Sequence, residues 1–161
     1  MLHKWKTVVL KLCGNEVEFK DKIGNIELTG KIDRIDIGET EEGKFIRIID
    51  YKSSEQDINL NEIMAGTQIQ LITYLDSVCK KEKAEPSGML YFNLIDPIVK
   101  SNKNLSDEKL EEEIRKQFKM QGLILANINV IKMMDKTLEK GSSKILPVSL
   151  NANRNNWKNR E

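Results

Sequence analysis

The sequence predicts an α/β domain in which a mixed central sheet is flanked by helices. Three observations predict this class. Runs rich in β-branched residues fill the first third of the chain, segments with helical spacing follow, and a short apolar run lies between two of those segments. A chain of 161 residues is long enough to bury one core. We therefore expect a single domain over 1–161, with a polar tail at 151–161 that is too hydrophilic to add to the core.

The early strands are predicted from alternation and turn residues. The segment 7–19 is β-prone and contains Gly14-Asn15, which predicts a hairpin with its turn at that pair. The segments 26–37 and 45–52 are also β-prone and are joined by an acidic, glycine-containing loop. These two segments should form paired antiparallel strands.

Helical spacing begins at about residue 62 and continues to about residue 80. This spacing predicts a helix whose buried side consists of Met64, Gln68, Leu71, Leu75 and Val78. The apolar run 89–94 then has the length of a strand in a sheet interior, and the Asp96-Pro97 pair ends it.

The second half predicts two helices and a last strand. Ser106 is a suitable N-cap for a helix that ends near Gly122. The apolar stripe of that helix, which predicts core packing, consists of Leu110, Ile114 and Phe118. A further helix is expected over 127–139, and the strand 145–150 is expected to join the sheet.

Composition excludes some classes of protein and leaves others open. The 26 basic and 25 acidic residues give a net charge of +1, which argues neither for nor against a nucleic-acid partner. The chain shows no apolar segment of membrane-spanning length and no signal peptide, so a soluble cytoplasmic protein is expected. Cys13 and Cys79 show no metal or disulfide spacing, and both are expected to be buried as small apolar residues.

The chemistry-bearing residues lie on the two predicted antiparallel strands. Asp50 and Lys52 are two apart, so their side chains should point to the same face at the end of an apolar strand. Asp33 lies on the preceding strand, where its carboxylate can approach Asp50. Two converging carboxylates suit Mg²⁺ or Mn²⁺, and the carbonyl of Tyr51 can supply a third oxygen. Lys52 can then orient or deprotonate a water, or stabilise charge on a phosphate under attack.

A helical pair follows these strands. Gln70 and Tyr74 are four residues apart, on a face that differs from the face carrying Leu71 and Leu75. Both can hydrogen-bond a phosphate, a water or Lys52, which are positioning roles.

A structural interpretation of the same residues stays open. Asp50 and Lys52 can be an exposed strand-end ion pair worth less than about 1 kcal/mol. Asp33, Arg34 and Asp36 can likewise be a solvated ladder with its own salt bridges. The order of the motifs favours the catalytic interpretation, because an acid on one strand is followed by Asp-x-Lys on the next and by Gln-x-x-x-Tyr on a helix.

That order resembles the nuclease domain of the RecB-like family in the PD-(D/E)XK superfamily, and most closely the domain of AddB proteins. The resemblance rests on three motifs, which are Gly30-Lys-Ile-Asp-Arg-Ile-Asp36, Ile49-Asp-Tyr-Lys-Ser-Ser54 and Gln70-Leu-Ile-Thr-Tyr-Leu75. It implies a restriction-endonuclease-like fold, with Asp33 and Asp50 as metal ligands, Lys52 as the catalytic lysine, and Gln70 and Tyr74 as the helix pair.

The resemblance also implies a biological role. Such a domain is a 5′→3′ DNA exonuclease of a helicase–nuclease complex, with an AddA-like partner subunit, and it processes double-strand breaks for recombinational repair. Full-length members carry an iron–sulfur cluster, but neither Cys13 nor Cys79 occupies the place of a cluster cysteine. The family's upstream metal-site histidine has no counterpart either, since His3 does not match it. We therefore expect an excised fragment of a larger protein.

Two other functions remain open. A non-catalytic DNA-binding or scaffolding domain of the same fold would keep the motifs without cleaving DNA. A stand-alone or phage exonuclease of the RecB-like family would cleave DNA without a helicase partner.

Overall fold

The structure is a computed structural model that describes residues 11–96 and 106–150. Its strands are β1 (Lys11–Ile23), β2 (Ile26–Thr40), β3 (Gly43–Lys52), β4 (Glu85–Asn93), β5 (Gln121–Ile124), β6 (Gly141–Ser142) and β7 (Ser149–Leu150). Its helices are α1 (Leu60–Met64), α2 (Gln70–Glu82), α3 (Asp107–Gln117) and α4 (Ile128–Met134). His3 and the tail 151–161 lie outside the described residues.

A five-stranded sheet organises the fold in the order β1-β2-β3-β4-β5. The pair β3-β4 is parallel and the other pairs are antiparallel, so the sheet is mixed, as predicted. Helix α2 connects the two parallel strands, because parallel neighbours need a long crossover. The prediction that a strand over 145–150 joins this sheet is wrong. In that segment only Ser149–Leu150 forms a strand, β7, and β7 pairs with β6 instead.

Both faces of the central strand β3 are covered. Ile46 and Ile48 lie in the core cluster under α2, whereas Phe45 and Ile49 lie in a second cluster with α4. The alternation of side chains along a strand divides these residues between the two faces. A strand buried on both faces has a nearly continuous apolar sequence, which is why 45–49 contains four large apolar residues.

The predicted hairpin turn at Gly14-Asn15 is wrong. Both residues lie inside β1, which pairs with β2 along its length and shows a register shift between Leu12 and Gly14. The actual turn is Gly24-Asn25, between β1 and β2. Glycine and asparagine suit a bulge as well as a turn, so the pair by itself does not distinguish the two.

The predicted helix over 62–80 is two helices. Gly66 has a φ of 79°, which is outside the helical region, and α2 begins only at Gln70. Leu71 and Leu75 are buried as predicted, whereas Met64 is 87% exposed because it lies on the short α1 before this break.

Helix α3 does not pack as its apolar stripe predicted. It has no buried residue, and Leu110 and Phe118 remain more than one third exposed. It ends at Gln117 rather than near Gly122, which lies in β5, a strand too short for its pattern to be recognised in the sequence. Within the described ranges, no helix is long and apolar enough to cross a membrane.

The two cysteines differ in their surroundings. Cys79 lies on the buried side of α2, as predicted, and burial raises the pKa of its thiol to about 11. Cys13 is exposed, so its expected burial is wrong. The bulge region of β1 leaves this side chain facing solvent rather than the core.

Candidate active site

The Asp-x-Lys motif lies at the carboxyl end of β3. Asp50 follows the buried Ile48 and Ile49 and is itself only 6% exposed. Lys52, two residues later on the same face, is more open, with 31% of its side chain exposed. The end of β3 thus places the buried Asp50 carboxylate at the edge of the sheet, with the more accessible Lys52 ammonium beside it.

One oxygen of Asp50 lacks a hydrogen-bond donor. Lys52 Nζ lies 2.5 Å from Asp50 Oδ2 as an ion pair. No donor among the described residues meets hydrogen-bond geometry with this buried oxygen, and the ammonium is misaligned for a hydrogen bond despite its short distance. The Lys52 ammonium is the cation that offsets the cost of burying this oxygen, and a metal ion bound here would share the oxygen with it.

Asp33 lies next to this centre across the strand pair. The last backbone pair of the β2-β3 ladder is Arg34 with Ile49, and one further step of the same register places Asp33 opposite Asp50. Asp33 does not continue the ladder through its backbone. Instead, Tyr51 N donates a hydrogen bond of 2.8 Å to Asp33 Oδ2. That contact holds the Asp33 carboxylate against the backbone that joins Asp50 to Lys52.

The charge state of Lys52 follows from its neighbours. Burial by itself lowers the pKa of its ammonium, but the Asp50 carboxylate, with smaller contributions from Tyr91 and Asp33, outweighs burial and raises the pKa above the ordinary value of 10.5. Lys52 is therefore protonated at neutral pH. In this charge state Lys52 can act as a cation and not as a base.

Gln70 and Tyr74 contact each other, and Tyr74 lies in the same buried cluster as Leu71 and Leu75, so the predicted separate face is wrong for Tyr74. Gln70 Nε2 donates a hydrogen bond of 3.1 Å to Tyr74 Oη. Tyr74 is buried, and its ring packs on Phe19 at a centroid distance of 4.6 Å. Its hydroxyl lies against Gly30, where a side chain on residue 30 would overlap it. This close approach explains the glycine of the first motif, which lets the helix pair lie directly on β2.

Asp36 has a different role from Asp33. It is fully buried, and its carboxylate accepts hydrogen bonds from Arg34 Nε at 2.9 Å and from Arg47 Nε at 3.1 Å. Arg47 is the register partner of Asp36 on β3. The ion pairs predicted for this part of the motif therefore exist, but they are buried rather than solvated. Asp36 joins β2 to β3 and is not part of the site.

The end of β4 also contributes, which no sequence pattern indicated. Asn93 is the register partner of Lys52. Its side-chain amide accepts from Gln56 N and donates to Gln56 O, both at 3.2 Å, and thereby holds the loop that follows Lys52. Gln68 binds the same loop, since its Oε1 accepts from Asn59 N at 2.9 Å. An asparagine at the end of an apolar strand is common in proteins. The role of Asn93 therefore becomes visible only from the register of β3 and β4.

The donor set fits a hard divalent cation. Asp50 offers an oxygen without a donor, Asp33 offers one carboxylate oxygen free of the Tyr51 contact, and the Tyr51 carbonyl can add a third ligand. Oxygen ligands of this kind, completed by water, suit Mg²⁺ or Mn²⁺. Within 11–96 and 106–150, no group of three or more histidine, cysteine, aspartate or glutamate side chains could hold a metal. Two carboxylates are therefore the most that the described residues contribute.

Comparison with known proteins agrees with this fold and motif order. Residues 2–141 match the sequence profile of the PD-(D/E)XK nuclease superfamily. The match covers most of the chain, including every motif described above. The chain therefore belongs to the PD-(D/E)XK nuclease superfamily.

The chain is also similar in sequence to individual proteins. The chain is similar to AddB, the second subunit of the ATP-dependent helicase/deoxyribonuclease, from several bacteria. It is 42% identical to that of Acetivibrio thermocellus over 154 residues, which is 92% of this chain and 13% of the relative. It is 45% identical to that of Ruminiclostridium cellulolyticum over 132 residues, which is 78% of this chain and 11% of the relative. The chain thus spans about an eighth of the length of these relatives.

Proposed function

We propose that this chain is a nuclease domain that hydrolyses DNA phosphodiester bonds with the help of Mg²⁺ or Mn²⁺. The observation that carries the proposal is the buried Asp50 carboxylate at the end of β3, with the Lys52 ammonium 2.5 Å from its Oδ2. Asp33, one register step from the last pair of the ladder, supplies the second acidic group.

Each site residue has a distinct task in this proposal. Asp33, Asp50 and the Tyr51 carbonyl would hold the cation, whose chemistry there would be that of a Lewis acid toward phosphate and water. Lys52 remains protonated and donates to a phosphate oxygen as negative charge develops there. Gln70 and Tyr74 fix the position of α2 against β2, and Gln70 presents its amide at the exposed start of the helix.

The relatives suggest the setting in which this chemistry serves. Their name describes a subunit of a helicase and deoxyribonuclease. We infer that the chain is one nuclease domain of a longer protein, acts as a 5′→3′ exonuclease, and works with an AddA-like helicase partner on double-strand break ends in recombinational repair. A cytoplasmic location and an iron–sulfur cluster held by segments beyond this chain belong to the same inference.

One observation favours a second candidate, a DNA-binding scaffold without cleavage activity. The described residues provide only two carboxylates near Lys52 and no cluster of three metal-ligating side chains. A site of two carboxylates binds a divalent cation more weakly than one of three, because fewer negative ligands offset the loss of hydration. The scaffold would bind DNA and leave it intact.

Cleavage of end-labelled single- and double-stranded DNA tests the proposal. We expect products with Mg²⁺ or Mn²⁺ and none with EDTA. Asp50→Ala and Lys52→Ala should each reduce the rate by at least about 10²-fold, in the range that the loss of one charge-stabilising group produces. Lys81→Ala is the matched control, since Lys81 is an exposed lysine on α2 away from the site.

Metal binding provides a second measurement. Mn²⁺ should raise the unfolding temperature of the wild-type protein and not that of Asp50→Ala, because a ligand that binds only the folded state stabilises it by about 2.7 kcal/mol at one hundred times its Kd. Cleavage by a folded Asp50→Ala/Lys52→Ala double variant would contradict the assignment. DNA binding without cleavage, and without Mn²⁺ stabilisation, would establish the scaffold instead.

A further inference from the structure

Strand β4 lies beside the catalytic end of β3 in a defined register. The two strands are parallel, and Tyr91 is the register partner of Asp50. Register partners project from the same face of a sheet. Tyr91 is therefore placed on the side of the sheet that carries Asp50 and Lys52, where it is 6% exposed.

The ring of Tyr91 contacts the lysine that the proposed reaction uses. Lys52 Nζ lies 5.6 Å from the centroid of the Tyr91 ring. A cation within about 6 Å of an aromatic face is attracted by the negative charge of that face. The ammonium thus has two fixed neighbours, the ring of Tyr91 and the Asp50 carboxylate 2.5 Å away.

We propose that Tyr91 is a positioning residue, an aromatic surface that holds the Lys52 ammonium beside Asp50 at the place where the phosphate is attacked. This inference rests on the proposed nuclease function. Lysine has a flexible four-carbon stem, and an unrestrained ammonium samples many positions. Asp50 by itself fixes one distance but no direction, since its hydrogen-bond geometry with Lys52 is unmet. The Tyr91 ring supplies a second restraint on the ammonium.

A purely structural role for Tyr91 predicts different behaviour. Tyr91 belongs to the buried cluster under α2, together with Met89 two residues earlier on the same face. Filling that core requires only apolar volume, which a leucine largely supplies. Holding a cation requires an aromatic face, which phenylalanine keeps and leucine lacks. The two substitutions therefore separate the roles.

The test uses Tyr91→Phe and Tyr91→Leu, with Met89→Ala as a control for core damage. Met89 is the register partner of Ile48 rather than of Asp50. In the DNA cleavage assay with Mg²⁺, we expect kcat to fall about tenfold in Tyr91→Leu with KM unchanged, the size expected when one cation–π contact is lost. Tyr91→Phe should retain the wild-type kcat within about threefold, and so should Met89→Ala in the fraction that is folded.

A nuclear magnetic resonance measurement tests the geometry without relying on activity. The ε-methylene protons of Lys52 should be shifted upfield by the ring current of residue 91 in the wild type and in Tyr91→Phe, and should lose that shift in Tyr91→Leu. Absence of the shift in the wild type, or a wild-type kcat in folded Tyr91→Leu, would overturn the inference. If the wild-type protein cleaves no DNA, the nuclease function fails, and the ring-current shift still decides whether Tyr91 holds Lys52.

Discussion

Gly30→Ala should damage the protein because of one close approach. A Cβ on residue 30 would overlap Tyr74 Oη and lie 2.9 Å from Tyr74 Cζ. Neither partner moves easily, since Gly30 is paired with Phe19 in the β1-β2 ladder and the Tyr74 ring is packed on the ring of Phe19. Overpacking of this kind destabilises a core by about 1–3 kcal/mol. For a chain of this length, that corresponds to a fall in Tm of about 3–10 °C.

Thermal unfolding followed by circular dichroism measures this effect. Thr29→Ala, an exposed neighbour on the same strand, should change stability by no more than about 0.5 kcal/mol. Tyr74→Phe removes the overlapping hydroxyl, so Gly30→Ala should cost less in that background, with a coupling of at least about 0.5 kcal/mol between the two sites. A Gly30→Ala protein that melts at the wild-type temperature, or strictly additive effects in the double variant, would refute the reasoning.

Three further predictions concern ionisable side chains. Arg47→Met should destabilise the protein by about 3–5 kcal/mol in urea titrations, because it leaves the fully buried Asp36 without its cross-strand partner, and a smaller loss would show that this ion pair is dispensable. For Asp135, burial raises the pKa, but hydrogen bonds donated to its carboxylate outweigh burial and lower it below the ordinary 3.8. The stabilisation that the ionised Asp135 contributes is therefore complete above about pH 4 and is lost as the pH falls through the lowered pKa. Asp135→Asn should flatten the acid limb of a plot of unfolding free energy against pH. An unchanged acid limb would show that Asp135 is not the source of the acid sensitivity. At pH 8, a thiol reagent should modify the exposed Cys13 rapidly and the buried Cys79 only after unfolding, and equal rates measured by mass spectrometry would contradict the fold around α2.

The sequence predicts the local part of the site and misses the part that depends on distant pairing. The shared face of Asp50 and Lys52 follows from strand periodicity, and the neighbouring positions of Gln70 and Tyr74 follow from helical spacing, although their contact with each other was not predicted. The places of Tyr91 and Asn93 depend instead on the register of a parallel pair whose strands are separated by the whole α2 crossover. No local pattern encodes that register, so neither residue can be assigned a role from the sequence without the fold.

The errors in the predicted fold have the same physical origin. Gly14-Asn15 suits either a turn or a bulge, and only the pairing of β1 along β2 decides between them. Helix α3 has a regular apolar stripe, and this spacing predicts which side of the helix is apolar. It does not predict whether another element packs on that side. Strand β5, with four residues, is too short to show a periodicity of its own.

The two aspartates of the first motif show how tertiary pairing gives one sequence pattern two different environments. Asp33 and Asp36 have similar neighbours in the chain, and an odd separation places them on opposite faces of β2. Asp36 meets Arg47 across the ladder, and two guanidinium groups satisfy and neutralise its carboxylate. Asp33 lies beyond the last pair of that ladder, where one backbone N–H from Tyr51 engages a single oxygen. Its second oxygen is free of that contact, and for this reason we propose Asp33, rather than Asp36, as the partner of Asp50 in holding a cation.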